Sequence, residues 1–222
     1  MKAVILAAGL GTRMKDLTKD TPKPMLKVAG KSLIQHKLEV LPKEVEEVII
    51  VVGYLKDQIK ESFGDSFGDK KISYVEQSEL NGTGGALWLC RDHIGDSKFL
   101  VMMGDDIYDE EVLREAIQHD WVLVAKNRTD SSPAGAVEVD DKGVVIDVME
   151  GNTSSPLVNT GLYVLQPAIF DYNLVKIPGR EEFGLPQTLV QALGHHDIKV
   201  VVCDKWCQIT APEDLEKASQ EI

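Results

Sequence analysis

Apolar positions in this chain follow two alternating rhythms. Short runs rich in Val, Ile and Leu, of the kind that form strands buried on both faces, alternate with stretches whose apolar residues recur at helical spacing. Lys2–Ala8, Val45–Val52, Ile72–Glu76, Lys98–Met103 and Trp121–Lys126 read as strands. Between them lie predicted helices: Ser32–Leu41, with Leu33, Ile34, Leu38 and Leu41 on one side, then Lys56–Phe63, Gly85–His93 and Glu110–His119. Such a βα series implies a mostly parallel sheet covered by helices on both faces.

The rhythm changes after Asn127. Ala136–Val139 and Val144–Met149 flank Asp140-Asp141-Lys142-Gly143, a hairpin signal. Leu157–Leu165 and Ile198–Cys203 read as strands, Pro186–Leu193 and Pro212–Ala218 as helices. The expected fold class is α/β, a Rossmann-like three-layer α/β/α arrangement with antiparallel additions to its sheet in the C-terminal half. One domain over residues 1–222 is expected, its halves 1–126 and 127–222 sharing that sheet, since no linker or internal repeat separates them.

Charge sharpens the picture locally. The chain of 222 residues has a formal net charge of -12, which argues against DNA and anionic membranes as partners. Yet Arg13, Lys15, Lys19, Lys23 and Lys27 fall within one stretch relieved only by Asp16 and Asp20. This cationic stretch follows Gly9-Leu10-Gly11, where the first strand should turn. Glycines there let backbone amides approach a phosphate, Arg13 offers a planar fork to phosphate oxygens, and Lys23 is a compact charge stiffened between Pro22 and Pro24. A polyanionic small molecule is implied, with a nucleoside triphosphate the natural candidate. Lys15 and Lys19 read as solvated charges.

Asp105 is the second candidate. It follows the buried run Phe99–Met103 and Gly104, at the carboxyl end of a strand, where open α/β sheets bind ligands. A carboxylate there suits Mg²⁺, although it could instead cap the helix that starts near Glu110. Asp106 is the weaker ligand of the adjacent pair, because neighbours on an extended segment point opposite ways. Gly82-Thr83-Gly84-Gly85 offers a backbone-rich surface ahead of a helix, for a base edge or as a plain turn. No Walker-type loop occurs. Cys90, Cys203 and Cys207 read as reduced thiols, and the five histidines lack metal-ligand spacing. No run approaches a membrane span and no leader is in view, so cytoplasmic residence is expected.

Together these residues resemble the sugar-1-phosphate nucleotidyltransferases over nearly the whole chain. The signature is Leu6-Ala-Ala-Gly-Leu-Gly-Thr-Arg-Met14, then Leu17-Thr18 with Thr21-Pro-Lys-Pro-Met-Leu26, then Val28-Ala-Gly-Lys31 and Leu33-Ile34. Further matches are Gly82–Leu87, Gly104-Asp105, Asn159-Thr160-Gly161-Leu162-Tyr163, and Trp206 with Pro212–Leu215. The resemblance implies a fold of the nucleotide-diphospho-sugar transferase type, and transfer of a nucleotidyl group from an NTP to a sugar 1-phosphate with release of pyrophosphate. It implies a nucleotide site built from Leu6, Ala8, Gly9, Gly11, Thr12, Arg13, Gln77, Gly82 and Thr83, with Arg13 wrapping the triphosphate. Lys23 would contact phosphate at the reacting centre and Asp105 would bind Mg²⁺. Gly135, Glu150, Asn159 and Thr160 would shape the sugar-phosphate pocket.

Two departures stand out. Glu150 is followed by Gly151-Asn152 rather than by the lysine common in the family, and Gln208 stands where a second metal-binding aspartate is usual. Gln208 is kept as a candidate ligand through its amide oxygen. UTP or dTTP and glucose 1-phosphate are the favoured substrates, with a mannose, heptose or N-acetyl-amino-sugar phosphate and GTP or UTP as the alternative. A phosphocholine cytidylyltransferase is a rival suggested by Val51–Gln58, disfavoured for want of an aromatic cage. A nucleotide-binding regulator without catalysis is a second rival. No acyltransferase extension is expected after Ile222, and a homo-oligomer is admitted without any legible sign of one.

Overall fold

A computed structural model describes residues 1–128, 135–149 and 155–222. Its first half alternates strands and helices: β1 (Lys2–Ala7), the short pair β2 (Lys27–Val28) and β3 (Lys31–Ser32), α1 (Leu33–Val40), β4 (Glu47–Val52), α2 (Lys56–Phe63), β5 (Ser66–Phe67), β6 (Lys70–Glu76), α3 (Gly82–Trp88), α4 (Arg91–Ile94), β7 (Phe99–Met103), β8 (Asp106–Tyr108), α5 (Glu110–Ala116) and β9 (Val122–Asn127). Then follow β10 (Ala136–Val139), β11 (Val145–Met149), β12 (Leu157–Leu165), α6 (Leu185–Leu189), β13 (Lys199–Cys203), β14 (Trp206–Gln208) and α7 (Pro212–Glu221).

The expected mixed sheet is present. Strands β6, β4, β1 and β7 run parallel side by side. Strand β12 adds antiparallel to β7, and it also pairs with β10 and β9, the latter joined in parallel by β13. Alternate residues of β1 feed opposite faces: Ala3, Ile5 and Ala7 meet Ile34 and Leu38 of α1 and Leu113 of α5, whereas Val4 lies with Leu87 of α3 and Leu189 of α6. Helices on both faces of one sheet give the three-layer α/β/α architecture.

A smaller third cluster matters most for the site. Met14, Leu26, Val28, Leu33, Ile107, Ile209 and Ala218 are buried together, so the cationic loop, the β2–β3 pair and α7 are fastened to one another. Burying a side chain the size of Met14 or Leu33 is worth about 1.5–3 kcal/mol, enough to hold an otherwise polar loop in place.

The differences from the sequence expectation have identifiable physical causes. The helix expected over Gly85–His93 begins at Gly82 and breaks after Trp88, continuing only as α4. Glycine has low helix propensity, but Gly84 N–H donates to the carbonyl of Phe183 and Leu185 N–H to Thr83 Oγ1. These contacts from the second half override propensity. The segments Thr12–Thr18 and Lys23–Met25 form 3₁₀ turns, too short to leave a periodic signal.

Candidate active site

Strand β1 ends at Ala7, and the chain turns through Gly9-Leu10-Gly11. Gly11 has φ +67°, and an added Cβ would lie 2.8 Å from the Cβ of Lys23. Only glycine both adopts that backbone and leaves Lys23 its place. The carbonyl of Gly11 accepts from Met14 N–H at 2.9 Å and from Thr18 Oγ1 at 3.0 Å, which closes the loop on itself. Its far end is tied down from the turn after β4: Tyr54 Oη donates to the carbonyl of Lys19 at 2.7 Å and Gln58 Nε2 to that of Asp20 at 2.9 Å. The Val51–Gln58 segment that suggested a phosphocholine enzyme thus has a structural task here.

Facing this loop is the end of β7. Lys23, buried with its stem under Gly11, directs Nζ to Asp105 Oδ2 at 2.6 Å. The Asp105 side chain remains 37% exposed, so the carboxylate is open to an incoming group. The helix that Asp105 could have capped is capped by Asp109, whose carboxylate accepts from Val112 N–H at 2.9 Å. Asp106 points into the protein instead. It is buried on β8, and burial first, with Asp105 second, raises its carboxyl well above the ordinary carboxylate range. The alternation expected for the adjacent pair is what the structure has.

A cavity of about 640 Å³ brings these pieces together. Lys23 and Asp105 line it, and so do Leu6, Ala8, Gly9, Gly11, Thr12 and Arg13 from the first loop. Its other side holds Gln77, Gly82 and Thr83. Gln77 Nε2 donates to Asn81 Oδ1 at 3.0 Å and to the carbonyl of Gly82 at 3.1 Å. A carbonyl can only accept, so the amide orientation is settled, with Nε2 turned to Asn81 and Gly82. Lys15 and Lys19 are exposed and lie outside the cavity lining, as expected of solvated charges.

Ile177 and Glu182 also line the cavity, and nothing in the sequence pointed to them. They sit on the segment between Val175 and Leu185, which crosses over the start of α3. Phe183 N–H donates to the carbonyl of Asn81 at 2.7 Å, and a Cβ on Gly82 would come within 2.3 Å of the Phe183 carbonyl oxygen. The glycine run is therefore spent partly on this close crossing.

Of the residues expected around a sugar phosphate, Gly135, Asn159 and Thr160 lie outside that lining, whereas Lys23 is part of it. Asn159 donates through Nδ2 to Tyr163 Oη at 2.7 Å, accepts from Gly161 N–H at Oδ1, and its own N–H reaches the carbonyl of Gly135 at 2.8 Å. Thr160 is buried, with Oγ1 donating to the carbonyl of Val124 at 2.8 Å. Their order fixes the bend in β12 where its pairing shifts between Asn159 and Tyr163. Glu150, Gly151 and Asn152 lie outside the described residues. Gln208 is exposed on β14, in register with Asp106, and does not line the cavity.

The remaining candidates have ordinary tasks. Burial pushes the Cys90 thiol up to about 12 and Cys203 and Cys207 up to about 11. His36 Nε2 bonds the carbonyl of Val28 at 2.8 Å and His196 stacks on Trp121. Among the described residues no helix is long and apolar enough to cross a membrane.

Comparison with known proteins agrees with this geometry. The sequence model of the nucleotidyl transferase family matches residues 2–222. The "Bifunctional protein GlmU" of Methanocaldococcus jannaschii is 31% identical across the whole chain, which spans 54% of that relative's length. The chain thus spans about half the length of the bifunctional relatives it matches. The "UTP--glucose-1-phosphate uridylyltransferase AglF" of Haloferax volcanii is 34% identical, with 100% of this chain and 96% of that protein covered. In three dimensions a Bacillus anthracis protein crystallised with sucrose, provisionally named a glucose-1-phosphate thymidylyltransferase, superposes with a TM-score of 0.88 at 22% identity, covering 99% of this chain and 94% of the other. With a glycine-turned cationic loop set against a strand-end aspartate, and a family match from the second residue to the last, this chain belongs to the nucleotidyl transferase family.

Proposed function

We propose that the protein transfers a nucleotidyl group from a nucleoside triphosphate to a sugar 1-phosphate and releases pyrophosphate. The observation that carries this reading is the convergence of Arg13, Lys23 and Asp105 on one cavity floored by glycine backbone, with Lys23 Nζ held 2.6 Å from Asp105 Oδ2. Cations and amides suit the triphosphate, and the carboxylate suits a divalent cation travelling with it. Among the described residues no three His, Cys, Asp or Glu side chains converge as a metal cage. A single carboxylate completed by phosphate oxygens is a donor set that fits Mg²⁺. Asp105 would hold it, while Gln208, outside the cavity lining, is the second and weaker candidate.

The chemistry then needs little from the protein beyond position and charge. An oxygen of the sugar phosphate, already anionic near pH 7, forms a bond to the α-phosphorus. The bond from that phosphorus to the bridging oxygen breaks in line, and pyrophosphate departs with the electron pair. No proton has to move. Lys23 and Arg13 offset the charge gathered between two phosphates, and the backbone amides of the Gly9–Thr12 turn hold the β- and γ-groups. When bound, Mg²⁺ supplies further charge neutralisation at the phosphates.

UTP or dTTP and glucose 1-phosphate are the proposed substrates. The full-length match to a protein named a UTP–glucose-1-phosphate uridylyltransferase supports the pair. Gln77 refines the base. Its amide donors are spent on Asn81 and Gly82. The remaining oxygen accepts from an imide N–H, present in uracil and thymine. Cytosine and adenine place a lone pair at the matching ring position. With glucose 1-phosphate as acceptor, kcat/KM for UTP or dTTP should exceed that for CTP and ATP by about 10²-fold, the scale of a mismatched hydrogen bond in a specific pocket. A preference for CTP would overturn the base assignment.

A further inference from the structure

One buried charge has no part in the reaction as derived above. Lys37 lies on α1 with 0% exposure, beside Leu33, Ile34 and Leu38 on the face turned to the sheet. An ammonium has three protons, and here three carbonyls receive them: Leu33 at 3.2 Å, Gly104 at 3.1 Å, and Asp106. Every donor is used, so none is left for a substrate. What Lys37 holds is nonetheless particular. Gly104 and Asp106 are the residues on either side of Asp105.

We propose that Lys37 is a positioning residue, which fixes the backbone before and after Asp105 and so sets the direction in which its carboxylate meets the metal–triphosphate. Another backbone anchor of the turn between β7 and β8 is Gly104 N–H, donating to the carbonyl of Leu6 at 2.9 Å. That bond ties the turn to β1. Lys37 ties it to α1. The choice of lysine follows from electrostatics as well as from proton count. Burial works against the Lys37 charge, and the neighbouring Asp106 and Asp105 support it, so a cation beneath the turn lowers the cost of holding two acidic side chains next to each other. A methionine would fill the same length but take away the donor these three carbonyls share. A glutamine would supply two donors and no charge.

The proposal rests on Asp105 being the metal ligand, and the test separates the two. Mn²⁺ binding is followed by electron paramagnetic resonance with α,β-methylene-UTP present, for the wild type, Lys37→Met, Lys37→Gln and Asp105→Asn. Lys37→Met should weaken Mn²⁺ binding by about 10-fold or more, the usual scale for removing a group that orients a metal ligand, with Lys37→Gln falling between it and the wild type. Affinity for the nucleotide without metal should change less. A role confined to folding would lower the melting temperature and the folded fraction, yet each folded molecule would bind Mn²⁺ as the wild type does. That result overturns the proposal. If Asp105→Asn itself keeps wild-type Mn²⁺ affinity, the ligand assignment falls and the Lys37 proposal with it. If Asp105→Asn loses affinity and Lys37→Met does not, only the Lys37 proposal falls. Should neither lysine variant fold, wild-type protein labelled with ¹⁵N at lysine Nζ decides the matter. The Lys37 signal is expected to shift when Mg²⁺ and the analogue are added together, and a signal that stays in place overturns the proposal.

Discussion

Lys23→Ala lowers kcat by about 10²-fold or more, the loss typical of removing one preorganised electrostatic group at a reacting centre. Lys23 touches both halves of the proposed triphosphate site. Its stem packs under Gly11, where an added Cβ would meet its Cβ at 2.8 Å and its Cδ at 3.4 Å, and its Nζ reaches Asp105. Pro22 and Pro24 on either side are both buried, so the backbone that presents it does not depend on the side chain. Truncation should leave the fold and most nucleotide binding in place, because Arg13 and the Gly9–Thr12 backbone remain. The loss then appears in kcat more than in KM for the nucleotide, the mark of an interaction made mainly in the transition state. Lys23→Arg should not restore the rate, since a planar fork does not fit a channel shaped by Gly11 for a straight stem. Steady-state kinetics on folded protein checks each point.

Asp105→Asn lowers turnover on a similar scale, about 10²-fold, and raises the Mg²⁺ concentration needed for half-maximal rate. Asparagine keeps the shape of the side chain and removes only its charge. The turn itself is held by backbone bonds from Gly104 to Leu6 and from Lys37 to Gly104 and Asp106, so it should survive the change. Because Lys23 and Asp105 are paired at 2.6 Å, their effects should not multiply. The double variant is expected to lose clearly less than the product of the two single losses, as residues in direct contact do. Multiplicative losses would mean that the two act independently, against the clamp described here.

Much of this was legible in the chain. The βα series depends on short-range periodicity, and the first loop is local in sequence, so Gly9, Gly11, Arg13 and Lys23 can be grouped from the sequence alone. Asp105 followed from its position after a buried strand. What could not be read depends on contacts between distant segments. Ile177 and Glu182 reach the cavity because residues 182–185 cross α3, a meeting encoded by no periodic pattern. The pairing of β8 with β14 joins two three-residue strands a hundred positions apart, too short to announce themselves. Lys37 looked like any helix lysine, and only the converging carbonyls mark it as internal. Gln77 was found, but the spending of its donors on Asn81 and Gly82 was not.

Pyrophosphate release tests the central claim most directly. Purified protein is supplied with Mg²⁺ and UTP or dTTP, together with glucose 1-phosphate, other sugar 1-phosphates, phosphocholine with CTP, or no acceptor. Pyrophosphate should form only when a sugar 1-phosphate and a triphosphate are both present, and Lys23→Ala should reduce it by about 10²-fold. Release with phosphocholine and CTP alone, or none with any sugar 1-phosphate, would contradict the account.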